Sequence, residues 1–144
     1  MIGCKEIQKA VSGLLKKKNF LVLARESIEG GKRPACSVDV FPASAERLNN
    51  YMEQDTFSVE ITYYPKAETQ ENLAETADKL KPLLLLCPLE VENRTIHTYS
   101  VAFSKLDTAL IVECDYTLEQ VIDTDEFDEE LMENIDVMIG IGEL

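Results

Sequence analysis

Apolar and polar positions along the chain change period several times, and each change marks an element. Between residues 6 and 18, Ile7, Val11, Leu14 and Leu15 recur at spacings of four, three and one, with lysines on the other side. That stripe predicts an amphipathic helix. Lys16, Lys17 and Lys18 close it, where cations suit the negative end of the helix dipole. Residues 20–24 form a short continuous apolar run of strand length, expected to be buried on both faces. Gly30 and Gly31, followed by Lys32, Arg33 and Pro34, predict an exposed loop.

Strict alternation then begins. Cys36, Val38 and Val40 fall on one side and Ser37, Asp39 and Phe41 on the other, the pattern of a half-buried strand that Pro42 is expected to end. The polar stretch 44–55 reads as a connection or wide turn. Phe57, Val59, Ile61 and Tyr63 alternate against Ser58, Glu60, Thr62 and Tyr64, the clearest strand in the sequence, and Pro65 stops it. Thr69 and Glu71 supply a cap and an acidic first turn for a helix carrying Leu73, Ala77, Leu80 and Leu84 on one face. Pro82 is expected to end or kink that helix, because its ring removes a donor and crowds the preceding turn.

Further β structure follows Pro88. Residues 89–92 are a short candidate, 96–104 alternate with Tyr99, Val101 and Phe103 on one face, and 108–118 alternate with Leu110, Val112, Cys114 and Tyr116 on one face. The turn at 105–107 is short enough to join the last two as an antiparallel hairpin. Two helices among hairpin-linked strands predict an α+β fold: a mostly antiparallel sheet with two main helices packed on one face, spanning residues 1–118, and an acidic C-terminal extension over 119–144. In that extension Phe127, Leu131, Ile135 and Met138 recur at four, four and three, which predicts a terminal amphipathic helix with an acidic outer side.

Composition adds bounds. The 144 residues suit one domain, and with 45% apolar content no window reaches the roughly 18 uninterrupted apolar residues of a bilayer span, so no membrane partner is expected. The amphipathic start lacks the features of a secretory signal, which makes the cytosol the expected address. Residues 1–105 hold 14 basic and 14 acidic side chains; residues 106–144 hold 13 acids and no Lys or Arg, so the net charge of −13 arises from the last 39 residues. That asymmetry argues against capture of nucleic acid, whose binding draws its strength from Lys and Arg displacing counterions. Cys4, Cys36, Cys87 and Cys114 lie far apart without a C-x-x-C pair and read as reduced, mostly buried thiols.

Candidate chemistry is sparse. The single histidine, His97, has no Ser, Cys or Asp at a spacing that marks a nucleophile arrangement, and reads as structural or superficial. The cysteines lack zinc-ligand spacing. Asp123, Asp125 and Asp128 resemble the start of a calcium loop, but Phe127 holds the fifth position, Asp128 the place of the turn glycine and Asn134 that of the closing glutamate. Gly140 and Gly142 make a lone G-x-G, and the sequon at Asn93 has no meaning in a cytosolic protein. Catalytic, cofactor and metal residues are therefore not assigned.

Several strings and their order do carry a resemblance. The helix EIQKAVSGLLKKKNF precedes a glycine-and-basic loop, the strand PACSVDVFP leads through a polar connection to FSVEITYYPK, and after a helix the hairpin HTYSVAFSKLDTALIVECDYTL runs into an acidic end. This organisation resembles the tail terminator, or tail completion, family of tailed phages and prophage-like elements. The resemblance implies a virion structural protein without catalytic residues or cofactors, which assembles as a hexameric ring on the tail tube protein, stops tube growth and presents a surface to the head–tail connector or neck protein. It also implies localisation in the virion tail, with the host cytoplasm as the place of assembly. Exposed loops are the expected contact surfaces, which nominates residues 29–34 and 44–55, among them Glu29, Lys32, Arg33, Arg47, Asn49, Asn50 and Tyr51. The acidic end has two open uses: lining the ring channel so that DNA does not adhere, or forming a late helix that docks on a neighbour. Outside the resemblance, a small cytosolic ligand-binding module or enzyme and an acidic nucleic-acid mimic remain alternatives.

Overall fold

A computed structural model describes residues 1–24, 27–28 and 31–122. The first helix, α1, spans Cys4–Lys17. At its start Glu6 reaches back to accept a hydrogen bond from the Gly3 amide (3.1 Å), one of the donors that a helix N-terminus leaves free. At its end Asn19 takes the left-handed conformation (φ 66°), and the Phe20 amide donates to the Leu15 carbonyl (3.2 Å). Ile7, Val11 and Leu15, the predicted stripe, are buried.

Residues 20–24 are not the expected strand. Val22 makes a single parallel bridge to Cys36, Leu21 is exposed, and Val22 and Leu23 are only half-buried. A continuous apolar run fixes burial but not conformation, and this one lies along the sheet edge as a partial cover.

Two long strands follow, β1 at Ala35–Arg47 and β2 at Met52–Tyr64, paired antiparallel. Pro42 does not end β1. The strand continues past it through a register shift between Pro42 and Ser44, because β1 is an edge strand and a proline there forfeits no ladder bond on its outer side. The stretch 44–55, expected as a connection, is therefore mostly paired strand, with a turn only at 48–51. Its residues are polar on both sides because the paired ends of β1 and β2 project beyond the core, and so they carry no alternating signal.

The second helix, α2, spans Gln70–Leu85. Thr69 caps it as expected, its hydroxyl accepting from the Asn72 amide at 3.2 Å. Pro82 does not stop the helix, which runs on to Leu85, and the Asp78 residue whose carbonyl loses its partner is exposed to solvent. The region expected as one strand at 96–104 is two: β4 (Arg94–Ile96) pairs with β3 (Leu89–Val91) as a separate small sheet, and β5 (Val101–Leu106) joins the main sheet. Tyr99 lies between them and is exposed rather than on the core face. The last strand, β6, spans Ala109–Val121, so three residues of the predicted extension belong to the sheet.

The main sheet has the order β1-β2-β6-β5, antiparallel throughout. Register places Val38, Ile61 and Val112 in one row and Cys36, Tyr63 and Leu110 in another. On this face α1 packs on β1 and β2, α2 packs on β5 and β6, and β3 packs on α1. The resulting single core makes the fold α+β with both helices on one face, as expected. The opposite face carries Asp39, Glu60 and Glu113 in register and is left to solvent in its middle.

Candidate interaction surfaces

The nominated residues fall into two patches at opposite ends of the sheet. Along β2, Met52 and Tyr63 are eleven residues apart, about 36 Å at strand rise.

The first patch is the tip of the β1–β2 arm. Asn49 accepts from the amides of Tyr51 (2.8 Å) and Met52 (2.9 Å) through Oδ1, so this side chain builds the turn rather than facing outward as a contact. Arg47 Nε donates to the Asn49 carbonyl at 3.1 Å, bracing the same turn. Asn50 and Tyr51 project, with Tyr51 75% exposed. Leu48, inside the nominated stretch 44–55, is exposed beside them, as is Val121, an apolar neighbour that sequence reasoning missed. Val121 pairs with Met52, and the Ile122 amide donates to the Tyr51 carbonyl at 2.8 Å, which brings the end of β6 to the tip. Beneath the arm, Gln120 is buried and holds the chain start: its Oε1 accepts from the Ile2 amide (2.7 Å), and its Nε2 donates to the Ile2 carbonyl (2.9 Å) and to Asp55 (2.9 Å). Beyond Cys114 the outer edge of β6 has no strand partner among the described residues, and Arg94 donates into it at the Glu119 carbonyl.

The second patch is a groove of about 1140 Å³ between the end of α1, the loop before β1 and the flank of α2. Phe20, Tyr63 and Leu83 form its apolar floor, and the rings of Phe20 and Tyr63 meet edge to face at 6.4 Å. Among the described residues, Lys18, Lys32, Arg33 and Lys79 line it against one acid, Asp78. Arg33 lies over the Tyr64 ring at 5.5 Å, which steadies the guanidinium at the groove mouth. Leu86, 74% exposed, forms an apolar lip, and Cys87 is half-buried beside it. Gly31 fits this loop because a Cβ there would meet the Ser27 carbonyl oxygen at 2.6 Å. Lys32 and Arg33 thus join a surface that no local motif announces, while Glu29 lies outside the described residues.

Among the described residues, the histidine and the two buried thiols line neither patch. His97 is exposed and stacked on Tyr99 at 6.4 Å. Burial pushes the Cys36 thiol up to about 12 and is the main cause that lifts Cys114 to about 11, so neither is an activated nucleophile. The Tyr116 hydroxyl is raised too, by burial first and then by its Cys114 neighbour. Among the described residues no three His, Cys, Asp or Glu side chains converge as metal ligands, and no helix is long and apolar enough to cross a membrane. The calcium-like segment at 123–134 and the predicted terminal helix lie outside the described residues.

Residues 6–128 match the model of a family described as phage tail terminator protein. No curated protein shows significant similarity to the sequence. Among solved structures, one chain at 13% identity is matched over 100% of its length and 88% of this one with a TM-score of 0.47, a likeness that carries no argument about function.

Proposed function

Because this chain belongs to the phage tail terminator protein family, and so has a tail structural or assembly role, we propose that it caps the tail tube as a hexameric ring, ends tube polymerisation and presents the surface for head–tail joining. Its partners in this reading are further copies of itself, the tube protein and a connector or neck protein, its place is the virion tail, and it performs no catalysis. The observation that carries the reading is the separation of two unlike patches, the arm tip and the basic groove, by about 36 Å along one sheet. A ring of identical subunits closes through heterologous contacts, each of which needs two different surfaces on every copy. Rigid strands fix the distance and angle between those surfaces, and that geometry sets the number of copies at closure. A cap must also offer the tube one face and deny the next tube ring another, which a subunit with chemically distinct ends can do.

Electron microscopy of the purified protein mixed with tube subunits tests this directly. Rings seated on tube ends and tubes of arrested length are the expected result. Tubes that elongate normally in its presence, or particles of normal tail length made without it, would overturn the reading.

A further inference from the structure

We propose that the acidic C-terminal stripe of one copy, Phe127 to Met138, docks in the basic groove of the neighbouring copy. Charge points to this occupant. Residues 123–138 hold eight carboxylates and no cation, and four of their apolar residues, Phe127, Leu131, Ile135 and Met138, recur at helical spacing, while the described lining of the groove offers an apolar floor with four cations and one acid. At about 1140 Å³ the groove also exceeds the roughly 300 to 1,000 Å³ of most small-ligand sites, and it suits a segment better than a metabolite.

Geometry makes the contact intermolecular. Ile122 is held at the arm tip by its bond to the Tyr51 carbonyl, and the groove opens at the Tyr63 end of the sheet, about 36 Å away. Phe127 follows Ile122 by five residues and reaches at most about 17 Å from it. Rising about 1.5 Å per residue from there, a helical stripe of the same chain ends at most about 34 Å from Ile122 and so cannot lie along the groove, whereas that of an adjoining subunit can. Docking of this kind is head-to-tail, which is the contact type that closes a ring. The inference deepens the proposed function and takes from it only the identity of the neighbour as a copy of this chain.

Cys87 provides the probe. In the full chain, Phe127→Cys, Leu131→Cys and Ile135→Cys are made singly and oxidised, with circular dichroism checking that each variant is folded. At least one should give disulfide-linked dimers and higher species that disappear when Cys87→Ser is added. Lys18→Glu with Lys79→Glu, both at exposed positions, should lower the yield about tenfold, as expected for two reversed pairs. A bridge that closes within one chain, seen as a faster-migrating monomer, overturns the proposal, as does the absence of any Cys87-dependent bridge at all three positions. Capping of tube ends without these bridges would sink the docking alone; bridges without capping would sink the proposed function alone.

Discussion

At the scale of single residues, the most consequential polar group is Gln120. Its amide satisfies both backbone groups of Ile2 in a site that solvent does not reach, so truncation leaves a buried donor and acceptor without partners. Gln120→Ala should cost about 2 kcal/mol in urea unfolding. The buried thiols make a second prediction. Cys36 and Cys114 are raised in the folded state from an ordinary value of 9.0 to about 12 and about 11, so folding favours the protonated thiol. Their contribution is complete below pH 9 and is lost as pH rises through 11 to 12, because the unfolded chain releases protons that the native state retains. Stability measured by denaturant titration should fall over that window, and Cys36→Ala should flatten the slope. Such residues are hard to read from a sequence: Gln120 sits at a core-facing position of an alternating strand, but nothing local says that its partner lies 118 positions away.

Among elements, the arm explains both what was legible and what was not. The strand at 57–64 and the one at 108–118 were readable because one face of each enters the core, which imposes a period of two. The end of β1 is exposed on both faces and that of β2 is half-buried at every position, so burial writes no period into 44–55, and the polar composition there mimics a loop. Pro42 compounded this, since a proline that signals a stop in a central strand is tolerated at a bulged edge. The run at 20–24 shows the converse, apolar without being a strand. The turn itself rests on one side chain. Asn49→Ala removes two side-chain to backbone bonds and should lower stability by about 1 kcal/mol, visible as faster amide hydrogen exchange at Tyr51 and Met52.

Taken whole, the molecule keeps its core apart from the exposed ends of its sheet. The core face is apolar and shared by both helices, whereas the arm tip adds little to it: Leu48 and Tyr51 are exposed. Replacing both by serine should change unfolding stability by less than about 0.5 kcal/mol, yet reduce the number of capped tube ends in the microscope. Equal capping by this double variant would remove the tip from the contact surface. The turn at 48–51 was legible as a turn because its central residues are polar and its bonds local. The groove was not, because Lys18, Arg33, Tyr63 and Lys79 come from four separate segments that only the packing of both helices on the sheet unites.

The position of β6 between β2 and β5 has a consequence for synthesis. Among the described strands the one translated last is the one that joins the others, so a polypeptide released before about residue 110 leaves the β1–β2 hairpin and β5 with no common neighbour. A chain cut short before that point is expected to lose the cooperative unfolding of the full-length protein, a loss that circular dichroism during a urea titration would register.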